Sequence, residues 1–278
     1  MKQLSLIGIL FMLATGLRAQ GYSIKINLPD APNEKISLAH YYLSKLYIDD
    51  TTHVDDKGVG EFKGDSLLHQ GLYKIYLNSK KHFDFLLAED QDFVITNPDF
   101  SVENIKIKGA WESREFADYM KFLNSLQKKR RSLAEKMKTT TGEEKAKYRK
   151  ELEGLTGQLH DYWLKTNEKY PNTLLSKFLL ANYVPTPGPG SIPENIRQND
   201  SLLLRYRFDF QKQHYFDYFD LLDERMLYSP LTKPKIESYF TQILLQTFDS
   251  VYAGSLELIE KVRPNKPMFQ YVTSYILN

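Results

Sequence analysis

The stretch "NIKIKGAWESREFADYM", from Asn104 to Met120, contains the change of pattern that decides the fold. In its first half, Ile105 and Ile107 alternate with lysines, which is typical of a strand with one buried face. In its second half, apolar residues recur three and four positions apart, which predicts an amphipathic helix. Ser113 is the predicted N-cap of this helix, with Glu115 in its first turn. The chain therefore changes here from strands to helices.

The residues before this point repeat the strand pattern. The segment "YSIKINL" places Tyr22, Ile24 and Ile26 on one face, and "GLYKIYLN" and "DFVITN" show the same alternation. Turn sequences rich in Asp, Asn, Gly and Pro, such as "LPDAPNE", separate these segments. About eight strands at this spacing predict an antiparallel β-sandwich over residues 20–109.

The residues after this point follow the helical period in two long runs joined by "TTTGEE", with Thr141 as the predicted N-cap of the second run. Two long helices with a short connection predict an antiparallel αα-hairpin, and "NTLLSKFLLANYV" adds a third helix to complete residues 110–184. The Pro- and Gly-rich "PTPGPGSIPEN" predicts an exposed connector over residues 185–195. Helical segments follow over residues 196–278. The predicted class is α+β, with an N-terminal antiparallel β-sandwich followed by an all-helical domain that begins with the hairpin.

Residues 1–19 have the pattern of an export signal. Lys2 precedes an apolar run, and the small residue Ala19 precedes the expected cleavage site. This run is too short to span a bilayer, and no later run is long enough. The absence of cysteine excludes a lipid anchor on cysteine and means that packing must stabilise the chain without disulfides. We therefore expect a periplasmic or secreted protein with no membrane span.

The charge balance argues against a polyanionic partner. The chain has 37 basic and 35 acidic side chains, and removal of the signal takes away Lys2 and Arg18, which leaves equal numbers. A neutral surface has no net attraction for nucleic acid or anionic lipid. The basic run "KKRR", from Lys128 to Arg131, favours a solvated helix face over a polyanion site. Nucleic acid is therefore not an expected partner.

Three groups of residues have the chemistry for a metal or catalytic site. The stretch "DDTTHVDDKGVGE" offers carboxylates and an imidazole, but neighbouring strand residues point to opposite faces, which favours an Asp-rich hairpin turn. Ser191 lacks the strand-turn-helix frame of a nucleophilic serine. The histidines are scattered without a consistent partner in the sequence, although pairs in space stay open. We expect no catalytic residue, no metal site and no cofactor.

A further candidate is the stretch "HYFDYFDLLDERMLYSP", which places acidic residues between aromatic ones. Its candidate site residues are His214, Asp217, Asp220, Asp223 and Arg225. Five apolar residues have helical spacing and can enter a core, namely Phe216, Phe219, Leu222, Met226 and Leu227. The aspartates fall three apart and would share an exposed stripe. Like charges on one stripe repel, so Arg225, Arg205 or Arg207 is expected to offset them. This pattern favours a structural or interaction segment over a site.

Several motifs taken in order resemble a known arrangement of domains. In the N-terminal half they are "IDDTTHVDDKGVGEFKG", "GLYKIYL", "FDFLLAEDQDFVITN" and "IKIKGAWESREFADYM". In the C-terminal half they are "HYFDYFDLLDERMLYSPLTKPKIESYF", "LLQTFDSV" and "NKPMFQYVTSYILN". The chain resembles the β-domain and the central helical domain, both of unknown function, that precede the thioredoxin domain in periplasmic TlpA/ResA-type proteins of Gram-negative bacteria.

The resemblance implies a role beside a thiol-disulfide oxidoreductase. That chemistry needs a Cys-x-x-Cys pair, and this chain has no cysteine, so no redox residue carries over to it. The chain ends about where such relatives continue into the thioredoxin domain, which favours a truncated form of a longer protein that could be an oxidoreductase. We expect an exported, non-enzymatic accessory module that positions a thioredoxin-like domain or binds its client protein. The alternative is a stand-alone periplasmic glycan- or peptide-binding protein.

Overall fold

The structure is a computed structural model that describes residues 21–278, so the predicted export signal falls outside the described part. Within this part a β-rich unit comes first and helices follow, which confirms the predicted α+β class. The strands are β1 (Tyr22–Asn27), β2 (Lys35–Tyr42), β3 (Lys45–His53), β4 (Val59–Gly64), β5 (Gly71–Tyr76), β6 (His82–Leu87), β7 (Asp92–Thr96) and β8 (Lys106–Lys108).

The strands form two four-stranded sheets, with strand orders β4-β1-β7-β8 and β3-β2-β5-β6. The second sheet is antiparallel throughout. In the first sheet, β1 and β7 run parallel, with Ile24 opposite Phe93, whereas the sequence predicted antiparallel pairs alone. Parallel pairing is possible because the chain passes through the second sheet between β4 and β7. No hairpin turn therefore fixes the direction of β7 relative to β1.

The two sheets enclose the first hydrophobic core. Alternate residues of each strand face inward, so Ile24 of one sheet meets Ile36 and Tyr73 of the other in a single buried cluster. The second sheet is also covered on its outer face. There, Leu72 of β5 and Leu86 of β6 are buried in a cluster with helical side chains. The outer face of this sheet is therefore the surface on which the helices pack.

The predicted αα-hairpin is present as α1 (Trp111–Thr139) and α2 (Gly142–Lys169). Along most of their length the two helices cover one another, and Leu126, Leu133 and Leu155 are buried between them. At the end nearer the sheet, the hairpin packs on the outer face of the second sheet. The helical period of the two runs therefore predicted the contact correctly.

The capping residues differ from the prediction. Ala110 occupies the N-cap position of α1, and Ser113 lies buried in the first turn, where its hydroxyl donates to a backbone carbonyl of β6. Beside it, Glu112 accepts a hydrogen bond from the backbone N–H of Leu175 at 2.8 Å. Thr141 does occupy the N-cap position of α2, but its side chain accepts no capping bond. The polar residues at the start of α1 therefore attach it to its neighbours.

The C-terminal part forms its own hydrophobic core, which includes Tyr215, Phe219 and Ile236. No helix within residues 21–278 is both long enough and apolar enough to cross a bilayer. The remaining α-helices are α3 (Leu174–Leu180), α4 (Glu194–Arg197), α5 (Asp200–Gln213), α6 (Thr232–Ser238), α7 (Phe248–Val262) and α8 (Lys266–Leu277). Other helical turns are 3-10 helices at Pro189–Ser191, inside the predicted connector, and at Glu224–Tyr228, and a π-helical turn at Tyr239–Ile243.

The 3-10 helix Glu224–Tyr228 lies directly on the second sheet. A Cβ added to Gly71, the first residue of β5, would lie 2.5 Å from the backbone oxygen of Tyr228. A residue with a side chain would push the helix away from the sheet, so glycine permits this close approach. The ring of Tyr228 also stacks on His69, with 4.5 Å between centroids. The C-terminal helices and the β-sandwich are therefore in direct contact.

Candidate functional site

A groove opens where the turn between β2 and β3 meets α6, α7 and α8. Its volume is about 680 Å³, which is within the range of pockets that hold small ligands or peptide side chains. Its lining is mainly aromatic and aliphatic, and we call it the aromatic groove. Its aromatic side chains are Tyr42, Tyr47, Phe240, Tyr271 and Tyr275.

The turn between β2 and β3 fixes the β wall of the aromatic groove. Leu43 in this turn has a φ of 55°, a conformation that non-glycine residues adopt mainly in tight turns. Its N–H donates to the backbone oxygen of Leu227 at 2.6 Å. Tyr42 packs edge-on against Tyr228, with 5.4 Å between ring centroids. The 3-10 helix therefore holds the turn in place, so that Tyr42 and Tyr47 line the groove.

The π-helical turn after α6 shapes the helical wall. Phe240 in this turn lines the groove, while its neighbour Tyr239 is buried in the C-terminal core. The ring centroid of Phe240 lies 5.5 Å from that of Tyr275 on α8. Turns of this type are rare in proteins and frequently occur at functional sites. The turn therefore adds weight to the groove as a binding surface.

The polar groups of the groove suit a ligand that accepts hydrogen bonds. The Tyr271 hydroxyl is buried with no hydrogen-bond partner among the described residues. Burial first, and then the charges of Glu237 and Tyr275, raise its pKa to about 12, so the hydroxyl keeps a proton that it can donate. The charged side chains of the lining are Lys45 and Lys233, and Lys233 lies 3.6 Å from Glu237. No Asp or Glu side chain within residues 21–278 lines the groove, and its two charged side chains are lysines, which favours a neutral or acidic ligand.

The five candidate residues of the aromatic and acidic segment make their hydrogen bonds in two separate places, although Asp217 and Asp220 line one cleft with Lys177. His214 and Asp217 form a partly exposed pair just after α5, with 2.6 Å between ring nitrogen and carboxylate. Asp220 and Asp223 instead accept hydrogen bonds from the ammonium group of Lys177 on α3, at 2.7 and 2.9 Å. The structure therefore does not gather the five side chains into one site.

Arg225 belongs to the second of these places. Its guanidinium donates to both carboxylate oxygens of Asp223, at 2.6 Å for the shortest bond, and to the side-chain oxygen of Gln70 at 3.0 Å. Burial by itself raises the pKa of Asp223, but the bonds from Arg225 and Lys177 outweigh it and lower that pKa to about 2. We call this network the charge clamp. It consists of Gln70, Lys177, Asp220, Asp223 and Arg225.

The predicted helical stripe of aspartates is wrong. Residues 214–223 form turns, so the aspartates do not share one helix face. Arg205 lies 3.8 Å from Asp209, and Arg207 lines a cleft at the connector, so neither offsets the segment as predicted. Arg225 does offset Asp223, but the second cation, Lys177, lies 46 residues before that aspartate. Local periodicity cannot reveal such a distant partner.

The Asp-rich stretch around β3 serves several separate contacts. Asp49 lies 2.7 Å from the imidazole of His40, and Asp50 accepts a hydrogen bond from the Tyr22 hydroxyl at 2.8 Å. Asp55 accepts backbone N–H bonds within the turn before β4, as expected for an Asp-rich turn. This turn joins strands of different sheets, so it is not the predicted hairpin. Within residues 21–278, no three His, Cys, Asp or Glu side chains are grouped to hold a metal.

Sequence reasoning missed the aromatic groove because its walls are far apart in the chain. Tyr42 and Tyr47 come from one hairpin, while Tyr271 and Tyr275 follow more than 200 residues later. The abundance of tyrosine was the available signal, but abundance alone does not separate core tyrosines from those that line a groove. The ligand has to be inferred from the groove itself, since no family model, curated protein or solved structure matches this chain.

Proposed function

We propose that this chain is an exported, non-catalytic module that binds a polypeptide client for a thioredoxin-like domain. The observation that carries the proposal is the aromatic groove between the β-sandwich and the C-terminal helices. Aromatic walls with few charges hold apolar peptide side chains through buried contact area. The resemblance described above supports the thioredoxin-like partner, and the predicted signal supports export.

The polar groups of the groove support a peptide in particular. An extended peptide carries a backbone carbonyl at every residue, and the Tyr271 hydroxyl, which is covered and has no partner among the described residues, would donate to one after a turn of its side chain toward the groove. Lys45 offers a cation for an acidic side chain or a terminal carboxylate. The chain contains no cysteine, so any disulfide exchange on a bound client has to be performed by thiols outside it.

Replacing Tyr275 by alanine should weaken peptide binding about tenfold or more, because it removes an aromatic wall of the groove. The probe is a fluorescein-labelled peptide of alternating valine and threonine, with a central phenylalanine and a C-terminal glutamate. Fluorescence polarisation measures its affinity. Tyr271→Phe should lower the affinity for the same probe by a smaller factor, since it removes one hydrogen-bond donor and keeps the aromatic ring.

Tyr252→Ala is the matched control, since Tyr252 is an exposed tyrosine on α7 outside the groove lining. It should leave the affinity unchanged, and all three variants should retain a cooperative melting transition. Failure of the probe to bind the wild-type chain would overturn the peptide proposal. Equal losses for Tyr275→Ala and Tyr252→Ala would place the binding outside the groove and contradict it as well.

A second candidate function, glycan binding, is favoured by a different surface. Phe248 and Tyr252 on α7 stack with 5.8 Å between centroids and 9° between ring planes. They are 81% and 56% exposed, so the pair presents an aromatic surface to water, which we call the platform. Aromatic faces of this kind can pack against the C–H groups of sugar rings.

The platform predicts that a neutral oligosaccharide binds through α7. Isothermal titration with soluble glucan, xylan and chitin oligosaccharides should find a ligand. Tyr252→Ala should lower the affinity for that ligand about tenfold, because one of the two rings of the platform is lost. Tyr275→Ala, in the groove, should leave that affinity unchanged. If none of these oligosaccharides binds, the glycan function is wrong.

A further inference from the structure

The strand β3 lies at an edge of the second sheet, whose order is β3-β2-β5-β6. Its first half is unusually apolar for an exposed edge. Leu46 and Tyr47 are each 45% exposed, and Ile48 is 67% exposed. An edge strand has one row of backbone N–H and C=O groups without a neighbouring strand, and proteins normally protect such rows. An exposed apolar stretch on such an edge is therefore unusual and points to a role for residues 46–48.

Protection is present on both sides of the stretch but not on the stretch itself. On one side lies Lys45, and a lysine on an edge discourages pairing. On the other side the pairing register with β2 shifts at Leu38 and Ala39, which places an irregularity opposite Asp49 and Asp50. At the other edge of the sheet, β6 packs against α1. The apolar part of this edge, residues 46–48, therefore lies between these two features and carries neither of them.

The two faces of this stretch have different surroundings. Paired residues of an antiparallel sheet share a face, so Tyr47 lies on the face of its partner His40, and Leu46 lies on the opposite face with Tyr41. Tyr47 also lines the aromatic groove. A strand placed beside residues 46–48 would direct alternate side chains to the two faces, and one set would point toward the groove.

We propose that an extended segment of a client polypeptide adds to β3 as an outer strand of the second sheet and places an apolar side chain in the aromatic groove. This proposal rests on the proposed function and specifies how the client is held. Main-chain hydrogen bonds to β3 supply affinity for any extended sequence, and the groove selects apolar or aromatic side chains on one face. Lys45, at the start of β3, favours a neutral or acidic segment over a basic one.

N-methylated forms of the probe peptide test the strand addition directly. Methylation at alternate positions gives two peptides with the same side chains. One loses the N–H groups that would face β3, and the other loses those that would face solvent. Fluorescence polarisation should show an affinity loss of about tenfold or more for one peptide and about twofold or less for the other.

Two results would overturn the strand addition while leaving peptide binding in place. In the first, both methylated peptides bind as well as the parent, so main-chain bonds contribute nothing. In the second, both methylated peptides lose affinity equally. The loss would then come from a changed peptide conformation and not from lost hydrogen bonds along one edge of the peptide. If the parent peptide itself does not bind, the proposed function fails, and strand addition fails with it.

The variant Ile48→Lys tests the same edge from the side of the protein. Ile48 is mostly exposed, so the variant protein should fold normally. Its new lysine places a charge on residues 46–48 of the edge strand. The affinity for the probe peptide should fall about tenfold with an unchanged melting temperature. Val59→Lys is the control, because Val59 is 45% exposed on β4, an edge strand of the other sheet. Equal affinities of Ile48→Lys and the wild type would overturn the proposed edge.

Discussion

The variant Asp223→Ala should lose about 3 kcal/mol of unfolding free energy at pH 7, as measured by urea denaturation. The Asp223 carboxylate is 7% exposed and accepts hydrogen bonds from Lys177 and Arg225. Its removal leaves two partly buried cations without their shared partner, which costs more than the loss of an exposed ion pair. The loss of unfolding free energy should be near the lower end of the range for buried ion pairs. This is because Lys177 still has its hydrogen bond to Asp220, and Arg225 still has its hydrogen bond to Gln70.

The stability difference between the wild type and Asp223→Ala should depend on pH. The pKa of Asp223 is lowered from 3.8 to about 2 in the folded protein, so the unfolded chain takes up this proton first as the pH falls. The stabilisation is complete above about pH 4 and disappears as the pH falls through about 2. The difference between the wild type and Asp223→Ala should therefore shrink by about 2 kcal/mol over this window.

Asp217→Ala is the control for the charge clamp, since Asp217 pairs with His214 at a partly exposed position in the same segment. It should change the free energy of unfolding by less than about 0.5 kcal/mol. If Asp223→Ala loses no more unfolding free energy than Asp217→Ala, the charge clamp stabilises the protein no more than a surface ion pair does. Its assigned role in stability would then be wrong.

Replacing Lys235 by methionine should raise the unfolding free energy at pH 7 by about 2 kcal/mol. Lys235 on α6 is 7% exposed and has no ion pair within residues 21–278, and its ammonium group lies 4.2 Å from the centre of the Tyr215 ring. Burial lowers its pKa from 10.5 to about 8, which corresponds to about 3 kcal/mol of cost for the charged form. The cation–π contact offsets about 1 kcal/mol of this cost, and methionine fills a similar volume without a charge.

The pH dependence has the same sign as that of Asp223, because folding lowers both pKa values, but it falls in an alkaline window. Between about pH 8 and 10, the unfolded chain keeps the Lys235 proton while the folded chain releases it, so the wild type gains stability from this group as the pH rises. The advantage of Lys235→Met should therefore decrease over this window. Comparison with the wild type at each pH cancels the contribution of the tyrosines. Lys233→Met, at an exposed position of the same helix, should change stability little, and destabilisation by Lys235→Met would contradict the prediction.

The change from strand to helix near Gly109 could be predicted because the side-chain period is a local property of the sequence. The burial of Ile105 and Ile107, and of Leu126 and Leu133 after them, agrees with that pattern. The parallel pairing of β1 and β7 could not be predicted this way. It depends on how the chain crosses between sheets, and no local pattern determines the crossing.

The groove and the clamp were harder to predict for a related reason. Helical spacing suggested that Leu222 enters the core, yet the backbone there forms turns and Leu222 is 51% exposed. The partners of Asp223 and Arg225 include Lys177 and Gln70, which come from other elements far away in the sequence. A charge in a sequence shows that a partner is needed, but only the fold determines which residue supplies it.

The 3-10 helix Glu224–Tyr228 takes part in both the groove and the clamp. Its Leu227 carbonyl holds the turn that forms one wall of the groove, and its Arg225 holds the clamp. A ligand that favours one position of that turn therefore also favours one position of this helix on the β-sandwich. By thermodynamic reciprocity, any factor by which ligand binding changes the packing of this helix on the β-sandwich is the factor by which that packing changes ligand binding.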